Sequence, residues 1–368
     1  MSGARDEGAP PEDGGLRGDV RRTVTDGDTY VHGDRGEPSG RPSQSTRSGV
    51  SSGRRGRGGA ERKMVAPERP STYYGKPIVK PPVWKPEIPF YFFFGGLAGA
   101  SAVLASTATF TGRRELARRA WAGAFIGVSV SPVLLIKDLG KPQRFLNMLR
   151  VFKITSPMSV GAWLLAANGA ATGLAAALNV LKPKRRGGAP EIAAAALGAP
   201  LATYTAALVT HSAIPAWAEA RREMPFVFAA SATASAAGAA MLTVSAGEAE
   251  PARRLGIAAA IGEEASTIVM HRRLGQLAEA YEEGGAGRFG KAARGLTVTG
   301  AFALLAGDPA LPLGLGRRRR SALSVAGGAL LLAGSVCKRW SVFRAGFQSA
   351  EDPAQTVRLQ RARLEGGA

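Results

Sequence analysis

The stretch KDLGKPQRFLNMLRVFKITSPMS, residues 137–159, decides how the chain is read. It carries five basic residues and Asp138, and it lies between two long apolar runs. Gly140 and Pro142 stop the helix that ends at Asp138. Beyond them, Phe145, Leu146, Met148, Leu149 and Phe152 alternate with Arg144, Asn147 and Arg150, a short interfacial amphipathic pattern. The segment therefore reads as a shelf at a membrane surface with an acid at its edge. Lys141 and Arg144 are within reach of Asp138 in sequence, so a structural ion pair with helix capping is the competing role for that acid.

Working outward, the mean hydropathy of −0.02 averages two unlike parts. Residues 1–87 are rich in Gly, Arg, Ser, Asp and Pro and have almost no apolar clusters, so they cannot bury enough surface to offset ordering entropy. They are expected to be a disordered basic tail, ending in a Pro-rich approach in which Trp84, Tyr91 and Phe92–Phe94 suit the water–lipid interface. The first 60 residues hold no apolar core of the length a secretory signal needs. A spanning helix takes about 20 mainly apolar residues. Eight blocks qualify: 88–111, 117–137, 157–181, 190–211, 225–246, 252–271, 294–315 and 321–341. The seventh is the weakest, interrupted by Asp308, Pro309 and Pro312, and the sixth contains Glu263 and Glu264. Period-two alternation is absent, and only helices or closed barrels satisfy backbone groups in lipid. The fold class expected is all-α: a polytopic bundle of eight transmembrane helices over residues 88–341, followed by a polar C-terminal tail, 342–368.

The formal net charge is +20. GRRGRGG at 53–59 resembles an Arg-Gly nucleic-acid segment, but a solvated basic tail near anionic lipid is the preferred reading, and no nucleic-acid partner is expected. The clusters RRELARR 113–119, KPKRR 182–186, ARR 252–254 and RRRR 317–320 share one side of an eight-span bundle, which the positive-inside rule makes cytoplasmic. Cys337 is the single cysteine, so the chain cannot itself ligate an iron–sulfur cluster. Of the three histidines, His32 lies in the tail, and His211 and His271 end the fourth and sixth blocks. One haem between those two is geometrically conceivable but is the lesser reading, and no metal motif is present.

Polar groups inside apolar blocks are costly and point to function. Tyr204 and His211 lie two turns apart on one face, about 10 Å. Tyr204 needs a hydrogen-bond partner, from the protein or from a ligand. Glu264 and His271 share the same spacing. They suit a proton relay, or Glu263 and Glu264 form plain helix–helix hydrogen bonds.

WKPEIPFYFFFGGLAGAS, KDLGKPQRFLNMLRVFKITSPMSVGAW, TYTAALVTHSAIPAW and KRWSVFRAGFQSAEDP resemble the polysulfide reductase membrane-subunit family, NrfD/PsrC, over Tyr73 to Val357. The resemblance implies an eight-helix, quinone-interacting subunit in the cell membrane. It implies an iron–sulfur partner serving a molybdopterin oxidoreductase or cytochrome subunit, and a quinone pocket near the start of the first helix, the end of the second and the fourth. Asp138 then stands for the family's acid after the second helix and Tyr204 for its tyrosine in the fourth. His211 replaces an asparagine-type residue, and FFFGGLAGAS lacks the His or Asn that some members carry. The cofactor-binding candidates are Tyr91, Asp138, Lys141, Arg144, Tyr204 and His211; the proton-handling candidates are Asp138, Tyr204, His211 and Glu264. Menaquinone and ubiquinone are not distinguished. The alternatives are a proton- or solute-translocating subunit and a purely structural membrane anchor.

Overall fold

A computed structural model describes residues 77–183, 186–245 and 248–366, all within one compact unit, Pro70–Ala368. The expectation of a disordered tail falls outside the described residues up to position 76. Residues 77–86 are described and are mostly extended, as five prolines within or beside them require.

Twelve α-helices follow among the described residues: α1 (Glu87–Phe110), α2 (Arg114–Asp138), α3 (Arg144–Met148), α4 (Pro157–Leu181), α5 (Ala189–Thr210), α6 (Pro215–Glu219), α7 (Met224–Thr243), α8 (Glu250–Leu274), α9 (Glu279–Glu282), α10 (Gly284–Ala306), α11 (Arg317–Glu351) and α12 (Pro353–Gly366). Local chemistry sets several ends. Ser156 caps α4, its hydroxyl accepting from the Ser159 N–H at 3.4 Å, and Pro157 occupies the first turn, where no N–H is needed. α8 stops at Gly275, whose φ of +54° falls in the left-handed region.

The long helices fall on the eight apolar blocks, with two corrections. α10 begins at Gly284, ten residues before the block that opens at 294. Arg288, Lys291 and Arg294 recur every third residue, so they share a broad face and do not interrupt the helix. α10 then ends ahead of Asp308 and Pro309. The second correction is at the C-terminus: α11 runs through Trp340 to Glu351, with Val342, Phe343, Ala345 and Ala350 buried, and residues 353–366 are helical too. Six helices, α1, α2, α4, α5, α7 and α11, are long and apolar enough to cross a membrane. The charges of α8 and α10 keep them below that level.

Short connections make successive long helices antiparallel. α1, α2, α4 and α5 close one ring of four, each packing on the next and α5 returning to α1. α7, α8, α10 and α11 close a second ring in the same order, and α7 joins the rings by packing on α1, α2 and α5. α3, α6 and α9 lie in the connections at one end. The other end carries the basic clusters.

In each ring the first and fourth helices meet backbone to backbone at a glycine pair. A Cβ on Gly198 would sit 2.6 Å from the Gly99 carbonyl oxygen, and one on Gly238 would sit 2.6 Å from that of Gly328. Small residues at such crossings let helices associate in lipid, where apolar side chains gain little from leaving the solvent. Gly198→Ala should therefore lower the unfolding temperature of the detergent-solubilised protein, at an overpacking cost of about 1–3 kcal/mol. Gly169→Ala, with nothing within 4 Å of the new methyl, should leave it unchanged or raise it slightly; equal destabilisation by both would remove the glycine contact from the account of packing.

Candidate functional site

Four helices and the extended approach converge at the end of the first ring. Ile88 and Tyr91 come from the first turns of α1, Leu135 and Asp138 from the last turn of α2, Met158 and Ala162 from the start of α4, and Tyr204 and Leu208 from α5. Trp84 and Met148 complete the lining of a cleft of about 30 Å³. A water needs roughly 10–15 Å³, so the cleft has room for one or two.

Each polar group is held by a definite contact. The Tyr204 ring lies where Gly161 has no side chain; a Cβ there would overlap the ring. Its hydroxyl donates to the Pro157 carbonyl at 2.5 Å, at the open start of α4. Asp138 Oδ1 accepts the Lys85 backbone N–H at 3.0 Å. Next to it Lys137 pairs with Glu87 at 2.9 Å, so α2 is tied twice to the chain entering α1. Tyr91 is 3 % exposed and borders the cleft, and among the described residues no protein group hydrogen-bonds its hydroxyl. Trp84 stacks on Trp217, with centroids 5.4 Å apart and planes 25° apart; Trp217 in turn donates to the Val342 carbonyl at 2.8 Å. That chain of rings connects the cleft to α11.

The structure thus brings Tyr91, Asp138 and Tyr204 together and leaves the other candidates apart. His211 is exposed at the end of α5, its Nδ1 3.1 Å from the Ala207 carbonyl, and it does not line the cleft. Lys141 and Arg144 are exposed on the shelf, and neither pairs with Asp138 among the described ion pairs. The reason is local: the α2 terminus turns Asp138 towards Lys85, away from residues that follow Gly140.

Glu264 belongs to a different place. A cavity of about 530 Å³ in the second ring is bordered by Glu264, His271, Tyr281, Glu282, Lys291, Arg294 and Lys338. Glu264 pairs with Arg294 at 3.2 Å, and His271 Nδ1 lies 3.0 Å from Glu282 Oε1. Behind them Glu263 is fully buried and faces Lys338 Nζ at 3.4 Å; Lys338 also donates to Thr267 Oγ1 at 3.2 Å. Arg339 packs its guanidinium 3.8 Å over the Phe228 ring and donates to the Phe228 carbonyl at 3.0 Å. Among the described residues no group of three or more His, Cys, Asp or Glu is placed to hold a metal ion.

The family model described as polysulphide reductase, NrfD, matches residues 77–350, about three quarters of the chain. The chain belongs to the NrfD family. No curated protein matches it. The matched span of this NrfD protein runs from the extended approach to the penultimate residue of α11, so both rings are family structure and the chain is a multi-pass membrane protein.

Sequence reasoning missed several contributors to these sites. Met148 and Met158 carry no chemical signature. Trp84 reads as an interface aromatic but packs on Trp217. Lys338 and Arg339 lie in a block that ends in KRW, which resembles the basic edge of a span; only the continuation of α11 puts them inside the protein. The available signal was the glutamate pair at 263–264, which demands cations at the same depth.

Proposed function

We propose that this NrfD protein is the quinone-interacting membrane subunit of a multi-subunit oxidoreductase, and that the cleft of Tyr91, Asp138 and Tyr204 is its head-group site. The observation that carries this is the meeting of those three polar groups, from three separate helices, in one otherwise apolar cleft at the membrane face. The donor set suits a quinone: two phenol hydroxyls for carbonyl oxygens and a half-buried carboxylate beside solvent. A ring exceeds 30 Å³, so Met148 and Met158 must swing aside, as unbranched side chains do readily. The quinone supplies two-electron, two-proton chemistry. Tyr91 offers a hydrogen-bond donor that no group among the described residues uses, Tyr204 exchanges its bond to Pro157 for one to the ligand, and Asp138 passes a proton between Oδ2 and the surface.

Eight spans follow from this reading, with α8 and α10 crossing as members of the second ring, where Glu264 of α8 pairs with Arg294 of α10 and Glu263 of α8 with Lys338 of α11. Electrons need a second chain, because one cysteine cannot ligate a cluster. An iron–sulfur subunit, leading to a molybdopterin or cytochrome subunit, docks over the 137–159 shelf. The support is a surface with two chemistries: Lys141, Arg144, Arg150 and Lys153 are exposed beside exposed Leu146, Val151, Phe152 and Ile154. Cationic charge next to apolar area suits an acidic partner face with an apolar centre. The cell membrane is the location this partnership requires.

A second reading has its own observation. The cavity beside Glu264 and His271, backed by the buried Glu263–Lys338 pair, has the titratable groups of a proton path.

Three outcomes are expected. In the assembled complex, Tyr204→Phe and Asp138→Asn should each lower quinol-linked turnover severalfold or more with assembly intact, and Asp138→Asn should also shift its pH profile; unchanged kinetics in both would reduce these residues to packing. Reversing Arg144, Arg150 and Lys153 together to Glu should weaken co-purification of the iron–sulfur subunit and make it more salt-sensitive, whereas crosslinks confined to the Arg317–Arg320 face would place the partner elsewhere. For the second reading, liposomes holding the subunit alone should take up protons under an imposed potential, and Glu264→Gln should suppress the flux; tight liposomes argue against it.

A further inference from the structure

At the opposite end from the quinone cleft, the loop 307–316 and the start of α11 form a concavity of about 480 Å³ against α8. Its polar lining is Arg253, Arg317, Arg320, Ser321 and Ser324, with no acidic side chain. Arg253 is the unusual member. It is 2 % exposed, its Nε has no partner, and its Nη2 makes one long contact, 3.4 Å to Ser324 Oγ. No carboxylate pairs with it among the described residues. A buried guanidinium without a counter-charge is strongly disfavoured.

The neighbours add to the positive charge and do not cancel it. Arg320 donates to three carbonyls, of Leu315 at 2.9 Å, Asp308 at 2.7 Å and Leu311 at 3.1 Å, which shapes the loop but leaves its charge uncompensated. Asp308 turns its carboxylate to the Ala310 N–H at 2.9 Å and is not in the wall. α11 also begins here, with Gly316 as an N-cap that offers no side chain and four arginines in the first turn. Free N–H groups and the positive end of the helix dipole point the same way.

The other three helices that start at this end show what the protein does where it supplies the anion itself. α5 and α8 have Glu191 and Glu250 in their first turns. At α2, Glu248 reaches from another loop and accepts the N–H groups of Glu115 and Leu116 at 3.0 and 3.1 Å. α11 has neither arrangement.

We infer that this concavity binds a phosphate group, carried by an anionic phospholipid or present as free phosphate, with Arg253 at its floor, Arg317 at its rim and the hydroxyls of Ser321 and Ser324 as further donors. A phosphate there supplies the counter-charge the guanidinium lacks and takes the place that the Glu248 carboxylate holds at α2. Leu315 and Pro309, beside the same wall, suit an acyl chain if the phosphate belongs to a lipid.

The test uses the full chain in detergent, delipidated and then supplemented with phosphatidylglycerol, phosphatidylcholine or inorganic phosphate. Melting temperature and, by native mass spectrometry, retained ligand are read. The site predicts a rise of several degrees and one retained ligand with phosphatidylglycerol or with phosphate, and neither with phosphatidylcholine. Protection by phosphatidylglycerol alone assigns a lipid head group; protection by phosphate as well assigns a free anion. Arg317→Gln, an exposed change that leaves the fold intact, should weaken binding about tenfold, and Arg253→Gln should abolish it. Arg118→Gln, a basic change at the α2 end, should have no effect. If Arg253→Gln does not fold, Arg317→Gln with Ser321→Ala carries the comparison. No protection by either anion, or equal protection in wild type, Arg317→Gln and Arg118→Gln, overturns the site.

Discussion

Backbone-to-backbone contact between α1 and α5 at Gly99 and Gly198 is the constraint on which the first ring depends. In lipid, apolar side chains gain nothing by leaving their solvent for each other, so helices hold together through close van der Waals contact. The glycine pair supplies that closeness, and it also sets where everything further along α5 falls. Six residues beyond Gly198, Tyr204 meets α4 at Gly161, a third glycine whose missing side chain is filled by the phenol ring. The hydroxyl then reaches the first carbonyl of α4. Geometry at the proposed quinone cleft is thus a consequence of packing nearly two turns away. α1, the most enclosed of the long helices, provides Tyr91 to the same cleft and a wall to both rings.

The two rings share a packing order but not a chemistry. The first is apolar, tight and closed around a small cleft. The second encloses Glu263, Lys338 and Arg339 and opens on a much larger cavity bordered by charged side chains. Buried ion pairs give little net stability, because the desolvation of both partners offsets their attraction. These charges lie in a ring whose other buried side chains are mainly small or apolar, among them Val227, Phe228, Met241, Leu304 and Leu331. They also account for part of the modest hydropathy of α8: Glu263 meets Lys338 of α11 inside the ring and need not face lipid.

The two ends of the bundle differ in the same manner. One end gathers the extended approach, the shelf and the proposed redox site. At the other, Glu248 accepts the free N–H groups at the start of α2, α5 and α8 carry a glutamate in their first turns, and the first turn of α11 carries arginines only. A chain in lipid can leave such an end positive because phosphate is always close at hand there.

The linear pattern alone determined the helical membrane class, the placing of the long helices to within a few residues over most of the chain and the charged shelf at 137–159. These depend on runs of composition and on short-range turn chemistry, which a chain displays locally. Tertiary structure decided the rest. It set α10 ten residues earlier, with Arg288, Lys291 and Arg294 on an exposed face and Arg294 met by Glu264 from another helix. It separated His211 from Tyr204, since a residue at a helix end follows the cap and not the helical face. It joined Asp138 to Lys85, Glu263 to Lys338 and Trp84 to Trp217, and it left Arg253 buried without a carboxylate among the described residues. Each of these turns on which side chain lies opposite, and a partner in another helix is invisible to any pattern read along one.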